Sequence, residues 1–465
     1  MPALSQPLVT VYITNYNYGN YLKQAVESIL AQSFQDFELI IIDDGSSDGS
    51  SEIISRYENI ENIFCIYQEN MGLVHSSNIA LRLARGKYIM RLDADDYLVP
   101  KALQVMVSEI DRDAKTALIF PDYYLTDREG SVIGQIHRHN FQTDVDLLDQ
   151  PAHGACTLIR TSILKSVGGY DQSFSMQDGY DLWLNIIDKY PVKNVNQPLF
   201  YYRQHDKNIT KNEKKLLKVR GKIKAKHVQK RKLDPIDVIA IIPVRGHSID
   251  SRSNPLKKIG GKCLIDWTIE SALKSQLVSK VVITTPDEKV IGHARKSYPE
   301  VMVHKRDMQL AWINTAIEDT ALEVLDFYKL SDKEPDALLM LYIEAPFRST
   351  MYIDKAINTY QLYKLDVVDG VRSDNDIFYV HRRNGLELWH KDKKLRLERD
   401  ELYRRAGGIH LIRTSTLIKT RDMLAGRTGH IFLDQEAGFT IKSELDWGIA
   451  DLIANKENFI ENVER

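Results

Sequence analysis

Residues 8–44 read LVTVYITNYNYGNYLKQAVESILAQSFQDFELIIIDD, and their order decides the fold. An apolar, β-branched run (LVTVYIT) gives way to a helix-period stretch (YLKQAVESILAQ), and a second apolar run (FELIIIDD) follows. Strand, helix, strand over so short a span predicts parallel strands joined by a crossover helix. The rhythm continues through IFCIYQ, VHSSNIALRLARG and KYIMRLD. It starts again at DVIAIIPVRG (237–246) and runs through KVVITTP, ALLMLYIEAP and DVVDGVR. The expected fold class is therefore α/β, with two Rossmann-like nucleotide-binding domains in tandem. A chain of 465 residues suits two domains of roughly 200 residues each.

Between the two series lies KNITKNEKKLLKVRGKIKAKHVQKRKLDP (207–235), rich in lysine and arginine and poor in acids. It sets the expected boundary near residue 234: a first domain over 1–210, a basic linker helix over 211–234, and a second domain over 235–465. A charge run of this kind reads as a solvated linker helix. The sharper reading is a patch that makes peripheral contact with anionic lipid or with an anionic acceptor.

Composition narrows the class. Apolar residues make up 43% and charged residues 27%, which is globular. A formal net charge of −2 gives no global attraction to nucleic acid. Cys65, Cys156 and Cys263 are far apart, so neither a disulfide framework nor a zinc site is suggested by spacing. The opening residues lack a basic segment followed by a long apolar core, and no run reaches the roughly 18 apolar residues of a spanning helix. A cytoplasmic protein is expected, with any membrane contact peripheral and on the inner face.

In a parallel α/β sheet, ligands sit beyond the carboxyl ends of the strands. Thr14 and Tyr16 follow the first strand and offer a hydroxyl and a flat ring for a nucleobase. Asp43 and Asp44 follow the second, ahead of a glycine-serine turn, where a carboxylate can accept from base or ribose groups. After the fourth strand comes RLDADDYL (91–98). Asp93 and Asp95, at i and i+2 of an extended segment, bracket one hard cation such as Mg²⁺ or Mn²⁺, and such an ion implies a substrate diphosphate. Asp178 and Asp181 open a helix-period segment (SMQDGYDLWLNI), where acids also suit the helix dipole or cap the helix.

Taken in order, these motifs resemble the inverting glycosyltransferases of family 2, which have the GT-A fold. The resemblance covers about residues 7–210 and adds GGYDQSFSMQDGYDLWLNI and PLFYYRQHDKNIT to the stretches above. It implies that Thr14, Tyr16, Asp43 and Asp44 hold the nucleoside of a nucleotide-sugar donor. Asp93 and Asp95 become the motif for a divalent cation, Asp178 the catalytic base, and His205 a group at the metal and diphosphate. The implied acceptor is a glycan or lipid-linked glycan of a bacterial surface polymer.

The second half, from IAIIPVRGHSIDSRSNPLKKIGGKCLIDWTIESALKS to FTIKSELDWGIAD, resembles the CMP-sialic acid synthetases and related cytidylyltransferases. Arg245, Ser248, Arg306, Arg348, Tyr403, Glu444 and Asp446 match that family's pattern. Ile249 and Asn254 stand where its phosphate loop has two lysines. Thr440, Ile441 and Lys442 stand where it has Asp-Ile-Asp, and a charged lysine repels a divalent cation. Three readings follow. The half is a degenerate domain kept to bind a nucleotide sugar, a partner or another copy of itself. It is an active cytidylyltransferase with displaced ligands such as Asp434 and Glu436, making a CMP-nonulosonic acid. Or it catalyses a different nucleotidyl transfer. A scaffold in which neither half turns over is the alternative from another class. A homodimer through the second half is also implied, because the synthetases are often dimers.

Overall fold

The computed structural model describes residues 6–138, 154–174, 176–206, 212–247, 250, 253–312, 314–330, 332–374, 376–383, 385–389 and 402–463. The chain forms two compact units: residues 1–212 together with 377–400, and residues 213–376 together with 401–465.

In the first unit the elements run β1 (Val9–Asn15), α1 (Gly19–Leu30), β2 (Phe37–Asp43), α2 (Ser50–Ile54), β3 (Ile63–Tyr67), α3 (Leu73–Leu83), β4 (Tyr88–Asp93) and β5 (Tyr97–Leu98). They continue with α4 (Ala102–Asp111), β6 (Leu118–Thr126), β7 (Val132–Ile136), β8 (Leu158–Arg160), α5 (Thr161–Ser166), α6 (Asp178–Ile186) and β9 (Val192–Arg203). Nine strands form one sheet in the order β3-β2-β1-β4-β8-β6-β9-β5, with β7 paired to β6. The expected parallel rhythm holds for β1 to β4; β8 then runs antiparallel to both β4 and β6. Helix α1 shows why the pattern folds this way. Leu22, Ala25, Val26 and Ile29, at i, i+3, i+4 and i+7, are all buried. They join Val9, Val11, Ile13, Leu39 and Ile41 of the sheet in one core.

The second unit opens with α7 (Glu213–Lys230), β10 (Val238–Pro243), β11 (Lys258–Ile259), β12 (Lys262–Cys263), α8 (Leu264–Leu273), β13 (Lys280–Thr285), α9 (Glu288–Ser297), β14 (Met302–Lys305), α10 (Ile317–Lys329) and β15 (Ala337–Leu341). Next come α11 (Thr350–Tyr363) and β16 (Val367–Asp374); the hairpin β17 (Tyr379–Arg382) and β18 (Gly385–Leu388) that follows in the chain is grouped with the first unit, and the second resumes with β19 (Leu402–Arg413), α12 (Thr414–Thr420), β20 (Thr428–Phe432) and α13 (Glu444–Val463). Seven of these strands form a second sheet in the order β14-β13-β10-β15-β19-β16-β20. The run from β14 to β15 is parallel and β19 is antiparallel to its neighbours. Both halves thus have the expected α/β architecture.

The basic run is not a solvated linker. Its helix α7 belongs to the second unit and packs on α11, burying Leu217, Arg220, Gly221, Ile223, Lys224 and His227. Lys224 is fully buried and donates to Thr359 Oγ1 at 2.8 Å. A long basic side chain can bury its alkyl stem, so a lysine-rich composition does not by itself exclude a packed face. Among the described residues no helix is long and apolar enough to cross a membrane.

Candidate active site

Parallel register brings three strand ends level at one edge of the first sheet. Asn15 of β1 lies opposite Asp43 of β2, and Thr14 lies opposite Asp93 of β4. Of the nucleoside candidates, Tyr16 is 48% exposed and Thr14 half-buried, while Asp43 and Asp44 are buried. Asp43 Oδ1 accepts from Asn15 Nδ2 at 3.0 Å. The same Asn15 amide also donates to Ser46 Oγ at 3.0 Å, lacing the β1 loop to the glycine-serine turn. Asp44 is committed elsewhere. Its carboxylate accepts from Gln68 Nε2 at 2.5 Å, from the Met71 backbone N–H at 2.9 Å and from the Gly72 backbone N–H at 2.8 Å. These bonds fasten the loop that leads into α3.

The acids of RLDADDYL meet their positive partners inside the fold. Arg91, the one basic residue of β4, is almost fully buried. Its NH1 donates to Asp178 Oδ2 at 2.6 Å, and its Nε lies 2.9 Å from Asp93 Oδ1, an ion pair without hydrogen-bond alignment. Asp178 itself is 6% exposed at the first position of α6, where a negative group is favoured. One guanidinium thus ties the candidate base to the candidate metal motif. Burial pulls the Arg91 pKa down, but Asp93 and then Asp178 carry it well above the ordinary range. Burial pushes Asp93 above the usual carboxylate range despite Arg91.

The approach to Arg91 is close. A Cβ on Gly154 would lie 2.4 Å from Arg91 NH2, so only glycine leaves the guanidinium where it is. Gly154→Ala is expected to displace Arg91 and lower transfer on the order of 10²-fold, the usual cost of a misplacement near 1 Å at a reacting centre. A steady-state assay with a circular-dichroism control for folding checks this; unchanged kcat would remove Arg91 from the machinery.

Further along the loop, Asp95 Oδ2 lies 2.9 Å from His205 Nε2. Asp96 is buried and its Oδ1 accepts from the Arg203 backbone N–H at 3.0 Å, while Oδ2 is enclosed without a partner. The Arg203 side chain donates to the Asp95 carbonyl at 3.0 Å and lies across the rings of Tyr21 and Tyr97. Tyr21 also stacks on His205 with centroids 5.3 Å apart. Burial, then Asp95 and Asp93, push Asp96 well above the ordinary carboxylate range.

Among these four carboxylates Asp93 and Asp178 share the Arg91 guanidinium, Asp95 meets the His205 imidazole, and Asp96 accepts only from the Arg203 backbone N–H. The excess negative charge, the hard oxygen donors and the enclosed Asp96 oxygen fit a divalent cation. Asp93, Asp95 and His205 do not converge as a closed triad. Among the described residues the one group of three such ligands within 4.8 Å of one another is Cys263, Asp266 and His293.

In the second unit the motif residues have structural tasks. Arg348 is 1% exposed, and its guanidinium donates to the carbonyls of Tyr342, Gly407 and Gly408 and to Thr268 Oγ1. Arg306 is buried and donates to the Val244 carbonyl at 2.7 Å. Arg245 is more open, 3.8 Å from Asp250. Ser248, Ile249 and Arg252 lie outside the described residues. Asp434 accepts from Tyr352 OH at 2.6 Å and from the Ala437 backbone N–H at 2.8 Å, and Glu436 pairs with Lys214. Ser443 and Asp446 form a capping box: Asp446 Oδ2 accepts from the Ser443 N–H at 2.8 Å, and the Asp446 N–H donates to Ser443 Oγ at 3.3 Å. Lys442 is exposed beside it.

Sequence reasoning missed Arg91, Gly154 and Arg203. For Arg91 a signal existed, since a lone arginine inside YIMRLD needs a buried partner. For Gly154 and Arg203 the partners lie far away in the chain and no local pattern marks them.

Comparison with known proteins places each half. Residues 10–168 match the model "Glycosyl transferase family 2", and residues 239–434 match "Cytidylyltransferase". The putative teichuronic acid biosynthesis glycosyltransferase TuaG of Bacillus subtilis is 32% identical over 219 residues, which are 46% of this chain and 85% of that protein. The chain belongs to glycosyltransferase family 2. Its family 2 half is also 31% identical to the chondroitin synthase of Escherichia coli over 205 residues, 44% of this chain. That match spans only 30% of the length of the chondroitin synthase. A solved structure of S. aureus TarS 1–349 in complex with UDP-GlcNAc aligns with 46% of this chain and 66% of its own, at TM-score 0.40 and 16% identity.

Proposed function

We propose that the family 2 half moves a sugar from a nucleoside-diphosphate donor to a hydroxyl of a glycan or lipid-linked glycan acceptor, with inversion. The setting is the synthesis of a bacterial surface polysaccharide or glycoconjugate, at the cytoplasmic side of the membrane. The observation that carries this reading is the Arg91 bridge, which holds Asp178 and Asp93 in one buried centre at the carboxyl edge of the sheet. The names of TuaG and chondroitin synthase, both of polymer synthesis, support the acceptor class.

Tyr16 and Thr14, with Asp43 behind them, offer the nucleoside a ring face and polar contacts. Asp178 takes the proton of the acceptor hydroxyl as that oxygen attacks the anomeric carbon from the face opposite the diphosphate. Arg91 fixes the direction in which that carboxylate points. A divalent cation, Mn²⁺ or Mg²⁺, held by Asp93 and Asp95 with His205 beside them, would neutralise charge on the leaving diphosphate. No covalent enzyme intermediate is needed. The anomeric configuration of the product, read by NMR from scalar coupling at the new linkage, is therefore expected to be opposite to that of the donor. Retention would exclude the single displacement.

For the second half the degenerate reading is favoured. Asp434 is spent on Tyr352 and Ala437, Asp446 caps α13, and Lys442, whose N–H donates to Asp446 Oδ2 at 2.8 Å, puts a positive charge beside that carboxylate. In this reading the half binds a nucleotide sugar, a partner or a second copy of the chain. Exposed Lys215, Lys218, Lys222 and Lys230 leave α7 a basic face for peripheral contact with anionic lipid.

A further inference from the structure

The second unit holds a set of donors that neither half's proposed chemistry uses. Cys263 is the residue before α8, and Asp266 lies in the first turn of that helix. The i, i+3 spacing puts both on one face. His293 comes from α9, and its Nε2 lies 2.7 Å from Asp266 Oδ1. The thiol sulfur, a carboxylate oxygen and an imidazole nitrogen all lie within 4.8 Å of one another.

That spacing fits an ion. In a tetrahedral zinc site, bond lengths of about 2.3 Å to sulfur and about 2.0–2.1 Å to nitrogen and oxygen put neighbouring ligand atoms about 3.4–3.6 Å apart. To reach that geometry the His293–Asp266 hydrogen bond need open by less than about 1 Å, and the Cys263 sulfur need close on the other two ligand atoms by no more than about 1.4 Å. A thiolate with an imidazole and one carboxylate is a borderline-soft set, which selects Zn²⁺ over Mg²⁺ or Ca²⁺. The surroundings also suit it. The Tyr298 ring stands edge-on to His293, with centroids 6.3 Å apart, and walls one side of the imidazole. Glu270, the next acid along the helix, is already held by Lys262 at 2.8 Å, so it stays out of the set.

We propose that Cys263, Asp266 and His293 form a binding site for a zinc-class divalent cation, with three protein ligands and one open position. Binding forms an S–metal bond and releases the thiol proton to solvent. The ion would tie the first turn of α8 to α9. The sequence gives no hint of this, because His293 of α9 comes 30 positions after Cys263 and only the fold brings the two together.

Co²⁺ titrated into chelator-stripped full-length protein tests it. The expected result is a thiolate-to-Co²⁺ charge-transfer absorption that saturates at about one equivalent per chain, is bleached by Zn²⁺, and vanishes in Cys263→Ala. His293→Ala, checked for folding by circular dichroism, should weaken Co²⁺ binding at least tenfold, within the loss seen when a shell partner is removed. The acidic site of the first unit has no thiol among its candidate ligands, so Co²⁺ there cannot mimic the band. Co²⁺ binding without the band, or a band that persists in Cys263→Ala, would overturn the assignment.

Discussion

Asp178→Asn is expected to lower glycosyl transfer by about 10²–10⁴-fold, the usual contribution of a positioned general base. Binding of the donor nucleotide, followed by calorimetry or thermal shift, should be unchanged. The substitution keeps the shape of the side chain and one oxygen for Arg91 NH1, now 2.6 Å from Asp178 Oδ2. It removes the ability to accept a proton from the acceptor hydroxyl. Loss of nucleotide binding in this variant would refute the base assignment and make Asp178 a donor-site residue.

The second large effect is expected at Arg91. Arg91→Met leaves Asp178 and Asp93, of 6% and 29% side-chain exposure, without their shared counter-charge. Removing one partner of a buried ion pair costs about 3–5 kcal/mol, because the other charge is left unpaired. For a unit of this size that is a fall of roughly 10 °C in melting temperature. Transfer should fall with it even below the new melting point, since nothing then orients Asp178. Combining Arg91→Met with Asp178→Asn should recover part of the stability but none of the activity, a coupling that contacting residues show and distant ones do not. Full additivity in melting temperature would mean that the two side chains are not paired in solution.

The alternation of strands and helices was legible because parallel strands in an α/β sheet are buried on both faces and read as continuous apolar runs, as in FELIIID and VIAIIP. The acids at strand ends were legible for the same reason. Their partners were not. Arg91 and Asp178 are 87 positions apart, and only the folded sheet shows that one guanidinium serves two carboxylates. Asp44 sits beside Asp43 in sequence and looks equivalent, yet its oxygens are taken by the loop at Met71 and Gly72. Arg348 fits a ligand motif, but four bonds to carbonyls and a hydroxyl make it a brace between chain segments. The basic run misled most. Lysine-rich composition reports the surface of α7, and the buried stripe at Leu217, Arg220, Ile223 and Lys224 hides inside it.

RLDADDYL together with Asp178 is where the proposed chemistry occurs. The most direct test is release of nucleoside diphosphate from a panel of nucleotide sugars by the full chain with Mn²⁺, in the native protein and in Asp93→Asn/Asp95→Asn. The prediction is turnover of at least one donor by the native protein, abolished by EDTA, and none in the double variant although it folds. Turnover that survives the double substitution would place the chemistry elsewhere in the chain.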